Sequence, residues 1–278
     1  MRSEEVPVPG QGGHPRSVPD AAVLLAAYDA QLRGPAEVVG ASRRESIGPL
    51  TVAVFPAGYG FVTYRDLGGA DEAGVRDLVS SALEVIEADP DVAEAEWKTR
   101  AHDRAPGLHA ALVDAGFTPA ESESVMIGAA DRMAVDVPLP DGVALRRVEA
   151  PDDVRAASAM AEEVFGDEVS EARVQDLLGR IARGAELWVA ELDGVVVSTG
   201  RLEPVPGTEF AGLWGGATRP EHRGRGIYRA LTAERARSAV RLGVRWITSD
   251  STGFSRPILE RSGFVKVSET TPYEWRRP

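Results

Sequence analysis

The chain has 278 residues, a net charge of −12, 43% hydrophobic residues and no cysteine. That length points to two domains with ordinary soluble cores; the missing cysteine excludes disulfides, thiolate metal sites and a cysteine nucleophile, and fits a reducing, cytoplasmic setting. The acidic balance argues against general nucleic-acid binding, no apolar run reaches the roughly 18 residues of a membrane helix, and no apolar leader opens the chain, so neither nucleic acid nor membrane is expected as a partner.

Residues 1–18, rich in Pro, Gly and charge, read as a disordered tail. Asp20 can cap a helix to about Leu32, with Leu24, Ala27, Tyr28 and Leu32 on one face. Leu50–Phe55 and Gly60–Tyr64 read as a hairpin, and Asp71 opens the clearest helix. There Val75, Leu78, Val79, Ala82, Leu83 and Ile86 keep the spacing of a helix packed on a sheet, until Asp89-Pro90 ends it. Ala93–Arg100 reads as a strand, Pro106–Ala115 as a short helix and Glu121–Ile127 as a strand. A linker at 131–141, marked by Pro138 and Pro140, divides a domain at 19–130 from one at 142–278.

The second domain opens with a strand at Val143–Val148 and helices capped by Asp152 or Asp153 and by Ser170. Asp193-Gly194 turns Leu187–Glu191 back into Val195–Leu202. A strand at 209–218, a glycine turn, a helix from Gly226 to about Leu242, a buried strand at Val244–Thr248, a short helix and strands near 264–269 and 271–276 complete the chain. Pro106–Phe117 and Ser255–Phe264 echo each other, each a short helix ending in Gly-Phe, with Gly116 and Gly263 expected in the left-handed region. The echo implies two copies of one α/β unit.

The turn Arg223-Gly224-Arg225-Gly226 joins a strand to a helix N-terminus. Glycines admit close backbone approach, and unpaired N–H groups there favour phosphate. Residues 219–245 hold eight arginines against two glutamates, a local positive excess in an acidic protein.

These residues resemble motif A of the GNAT superfamily of acyl-CoA-dependent N-acyltransferases, Q/R-x-x-G-x-G/A after a strand, with Tyr228 where the last small residue stands. The resemblance runs from about Gly142 to Trp275. It implies a tandem-GNAT chain: two GNAT-like α/β units, each a mixed, mostly antiparallel sheet flanked by helices. The N-terminal copy is degenerate, because Arg65–Glu72 is acid-rich where the cradle should fall. It also implies acetyl-CoA as co-substrate, no metal, and acyl-CoA contacts at Gly216, Ala217, Thr218, Arg223, Gly224, Arg225, Gly226, Ile227, Tyr228 and Arg229. Gly215-Gly216 reads equally well as a bulge with no ligand role.

The implied reaction is direct acetyl transfer to the primary amine of a small molecule, with the oxyanion held by a backbone N–H near Ala217. Glu203, Glu209 and Asp250 are the catalytic candidates, against solvated turn carboxylates for the first two and a helix cap for Asp250; His222 reads as an exposed loop residue. The family's tyrosine acid is missing, since its position is Leu259, and Thr252 stands where an asparagine is usual. Tyr273, Ser251, Ser255 or water could protonate the thiolate. Acyl-CoA binding without turnover, acylation of protein amines and a homodimer stay open.

Overall fold

Gly116 and Gly263 each end a short helix with φ in the left-handed region, at 85° and 97°. The next residue then bonds back to the helix: Phe117 N–H donates to Leu112 O at 2.9 Å, and Phe264 N–H to Leu259 O at 3.1 Å. Both phenylalanines and both leucines are buried. The sequence echo is therefore a structural repeat. It is seen in a computed structural model that describes residues 20–56 and 58–278. The tail read at 1–18 lies outside the described residues.

The first half runs α1 (Ala21–Gln31), β1 (Arg43–Ile47), β2 (Leu50–Phe55), β3 (Tyr59–Tyr64), α2 (Glu72–Ala88), β4 (Glu94–Arg100), α3 (Leu108–Asp114), β5 (Thr118–Pro119) and β6 (Glu123–Ala129). A short helix α4 (Ala130–Met133) lies at the expected linker. The second half runs β7 (Val143–Val148), α5 (Pro151–Phe165), α6 (Glu171–Ala182), β8 (Glu186–Leu192), β9 (Val195–Pro204), β10 (Phe210–Thr218), α7 (Ile227–Arg241), β11 (Trp246–Ser251), α8 (Arg256–Arg261) and β12 (Val265–Arg276).

Several expectations hold locally. Asp20 caps α1 by accepting from Ala22 N–H at 3.0 Å. Asp193 and Gly194 both take positive φ, as a tight hairpin needs. Other details differ. The helix expected after Asp152 or Asp153 starts at Pro151, and Asp153 pairs with Arg146 instead of capping. The two closing strands are one, β12, with a register shift between Lys266 and Ser268. β1 had no signal, because Arg43–Ile47 is an exposed edge strand without alternation.

All strands share one mixed sheet, ordered β1-β2-β3-β4-β12-β6-β11-β10-β9-β8-β7, with β5 beside β12. Among the described residues only β3–β4 and β10–β11 pair in parallel, one such pair in each half. The halves also exchange strands. β6, from the first half, lies between β11 and β12. β12, from the second half, pairs with β4 over Glu94–Arg100. The expected division at 131–141 thus separates the halves in sequence while two strands cross it in space.

The back face of the sheet carries α2 and α3 over Trp97, Tyr273 and Trp275, then α4, α7 and α8 over Met126, Leu213 and Ile247. The front face carries α1, whose Leu24 and Tyr28 pack on Phe210 and Trp246 of the other half, and α5–α6 over Leu187 and Val189.

Candidate functional site

β10 and β11 pair only where Phe210–Gly212 meets Trp246–Thr248, although both run further. Beyond that point they part, and Ser249 Oγ closes the apex by donating to Leu213 O at 3.0 Å. A bulge drives the divergence. The β9–β10 register shifts between Trp214 and Ala217, and Gly215 sits at φ 60°. Gly215-Gly216 thus forms a bulge. Tyr228 exploits the gap: a Cβ on Gly216 would fall 2.7 Å from its ring. The bulky last residue of the motif is housed against a strand glycine, which narrows the wedge on the α7 side.

The turn after β10 leaves backbone donors free. Gly224 and Gly226 take φ of 73° and 81°, and a Cβ on either would meet nothing within 4 Å. Gly226 caps α7 without any side chain accepting from the helix. Among the described residues, the N–H groups from Gly224 to Arg229 find no protein acceptor, and the helical ladder starts with Ala230 N–H on Gly226 O. Such a run of free donors at a helix start is an anion site when filled. The arginines sort by distance from it. Arg219, Arg237, Arg241 and Arg245 pair with carboxylates, and Arg235 is buried on backbone carbonyls. Arg223, Arg225 and Arg229, around the turn, are exposed and have no carboxylate partner among the described residues. His222 Nδ1 lies 3.1 Å from Arg225 and is half-buried beside the turn.

The first half carries the same architecture with the site filled. Asp71 caps α2 by accepting from Gly74 N–H at 2.9 Å, and Glu72 occupies the first turn. Past the last β3–β4 register pair, Val62–Trp97, Arg33 donates to Tyr64 O at 2.7 Å and Thr63 to Glu37 at 2.5 Å. Two carboxylates at the helix start repel phosphate, and the wedge is plugged by the chain's own side chains.

The front face beside the second-half wedge is ionic. Lys98 of β4 reaches Asp250 of β11 at 2.5 Å, with 18% and 7% of their side chains exposed. Arg100 donates to Tyr28 Oη at 3.3 and 3.1 Å and pairs with Glu37. Glu123, at the start of β6, has no cation within ion-pair distance among the described residues; burial first, then the nearby Asp250 charge, raises its pKa above the ordinary carboxylate value. Glu96 accepts from Tyr59 Oη at 2.8 Å. Thr248 Oγ1, at the apex, is buried without a partner among the described residues.

Of the catalytic candidates, Asp250 lies on this floor, held by Lys98. Glu203 sits opposite Gly212, but Arg201 and Arg180 neutralise it at 2.7 and 3.3 Å. Glu209 is at the wrong end of β10, about 30 Å of extended chain from Thr218. It is exposed there and tied to Gln31 and Arg245, which hold its pKa below the usual range. Tyr273 is also displaced: it packs in the first-half core, its hydroxyl on His109 at 2.8 Å. Ser251 and Ser255 stay at the end of β11, 2.8 Å apart, with Thr252 Oγ1 3.2 Å from Ser255. Sequence reasoning missed Glu123 and Lys98, because both come from the half that lacks the cradle. The Lys98 and Glu123 strands carry no motif, and only the strand exchange brings them to Asp250.

Residues 154–264 match the family model for the acetyltransferase (GNAT) family. The second half holds a GNAT domain. Solved structures share the fold over nearly the whole chain. A GCN5-related N-acetyltransferase from Kribbella flavida is 18% identical, with a TM-score of 0.63 over 93% of this chain and 95% of that one. One from Sphaerobacter thermophilus is 19% identical, with a TM-score of 0.61 over 94% and 95%. A tandem GNAT protein from the clavulanic acid biosynthesis pathway is 18% identical, with a TM-score of 0.60 over 82% and 79%. No curated protein matches the chain. A GNAT domain in the second half implies acyl transfer from an acyl-CoA, and the free N–H run and its arginines fit a diphosphate.

Proposed function

We propose that the chain is an N-acetyltransferase that moves an acetyl group from acetyl-CoA to the primary amine of a small molecule, without a covalent intermediate. The observation that carries this reading is the uncapped start of α7, with its unpaired N–H groups and three unpaired arginines, beside strands that part at Gly212 and Thr248. Acetyl-CoA supplies the activated acyl group. Gly224–Arg229 N–H groups and Arg223, Arg225 and Arg229 hold its phosphates, while β10 from Gly216 to Thr218 lines the wedge. Glu123 takes the ammonium proton, since it is the floor carboxylate with a raised pKa and no salt-bridge partner among the described residues. Asp250, fixed by Lys98, orients the amine. The Ser251–Ser255 hydroxyl pair stands at the end of β11 to protonate the leaving thiolate.

Calorimetric titration with acetyl-CoA tests the cradle: Gly224→Glu with Gly226→Glu abolishes binding if the reading holds, and unchanged binding removes it. Leu259, buried and without a hydroxyl where the family often has tyrosine, favours a second reading, acyl-CoA binding without turnover. Binding with no thiol release across an amine panel establishes that second reading.

A further inference from the structure

Alongside the ionic floor lies a cleft of about 560 Å³, lined by Tyr59 and Glu94 from the first half and by Glu162, Glu168, Arg173, Asp176, Arg180 and Arg201 from the second. Arg201 ties it to the wedge, because it pairs in register with Trp214 and its guanidinium lies against Gly215. The cations of this cleft are spent. Arg173 pairs with Asp167, Arg180 with Asp176 and Glu203, and Arg201 with Glu203. The unspent charges are negative. Among the described residues Glu168, Glu96, Glu123 and Glu274 have no cation within ion-pair distance, and Glu94 only Arg276 at 3.8 Å.

A second observation is independent of that charge count. Glu162 is wholly buried and lines the cleft, yet among the described residues its Oε1 has no hydrogen-bond donor. Its Oε2 takes Ser170 N–H at 3.4 Å, and the nearest cation, Arg173 Nε, stands off at 3.8 Å from Oε1. A buried carboxylate oxygen without a donor is costly, and it is the feature a bound ammonium would satisfy.

We infer that the acceptor is a diamine or polyamine. One amine is acylated at the wedge, and a second ammonium, away from the reacting end, is held in the cleft by Glu162 Oε1 and Glu168. The inference rests on the acyl-transfer reading and names its substrate class. It is tested with α,ω-diamines of four to eight carbons, each beside the monoamine and the ω-amino acid of the same length, at saturating acetyl-CoA. The expected result is a kcat/KM for the best diamine at least tenfold above its monoamine, carried by KM, with the amino acid lowest. Glu168→Gln lowers the diamine's kcat/KM more than the monoamine's, so their ratio collapses. Equal rates for diamine and monoamine at every length, or a preference for the amino acid, overturn the inference and leave the acyl-transfer reading standing. Calorimetry of the same amines without acetyl-CoA reads the cleft alone. If no amine releases thiol but diamines bind and monoamines do not, turnover falls and the cleft assignment stands.

Discussion

Lys98 Nζ lies 2.5 Å from Asp250 Oδ2, joining a strand of the first half to the wedge strand of the second. Burial alone would lower the Lys98 pKa, but the Asp250 charge outweighs it and holds the ammonium above its ordinary value. Removing one partner of a mostly buried pair strands the other charge. Lys98→Met is expected to cost about 3 kcal/mol in urea unfolding at pH 7, and adding Asp250→Asn to recover much of it. Because the folded pKa is raised, this stability is complete below the unfolded lysine pKa, about 10.4, and is lost as pH rises through the folded value. The gap between parent and variant should therefore persist at pH 8 and narrow in strongly alkaline solution. A gap already closed at pH 8 would contradict the pairing.

Glu123 works in the opposite sense. Its pKa is raised by burial and by Asp250, so the folded state binds its proton more readily than the unfolded chain does. Its contribution is present below the ordinary carboxylate pKa, about 4.3, and is lost as pH rises through the folded value. Glu123→Gln should thus unfold at higher denaturant than the parent at pH 7, with the difference vanishing in acid. As the proposed base, its loss should lower kcat/KM about 100-fold or more. The acid limb of the parent's pH profile should lie above the ordinary carboxylate range. A stabilised variant with full activity would leave Glu123 a structural group only.

Much of this was legible in local chemistry. The cradle came from Gly224 and Gly226, whose positive φ the sequence could anticipate, and the repeat came from Gly116 and Gly263. Asp71 in the first half announced both its helix and its hostility to phosphate. What the sequence could not carry was partnership across the sheet. Nothing in Glu123–Ala129 says that it pairs with Trp246–Ser251, since a strand's pattern records which face is buried and not which neighbour buries it. Glu209 failed as a candidate for a related reason. Closeness in sequence to β10 says nothing of which end of the strand meets the ligand.

Gly216 and Tyr228 should behave as one unit. A Cβ at residue 216 would fall 2.7 Å from the Tyr228 ring, so Gly216→Ala is expected to lose about 1–3 kcal/mol through overpacking. Tyr228→Ala should relieve that strain, and the double variant should be more stable than the sum of the single effects. In the widened wedge of Tyr228→Ala, longer acyl-CoA donors should gain in kcat/KM relative to acetyl-CoA. Additive stability effects in chemical denaturation would show that the ring does not rest on this glycine.

One acyl-CoA per chain is the expected stoichiometry, although the fold is repeated. The first-half helix start is occupied by the Asp71 cap and Glu72, and the wedge between β3 and β4 by Arg33 and Glu37. A phosphate there would meet two carboxylates at the helix start, reversing the attraction that the α7 start offers. Calorimetry should return one site for the parent and none for Gly224→Glu with Gly226→Glu. Asp71→Ser keeps a hydroxyl cap, removes one charge and should still return one site, because Arg33 and Glu37 continue to fill the wedge. Two sites in the parent, or a residual site in the cradle variant, would mean that the first half also binds the donor.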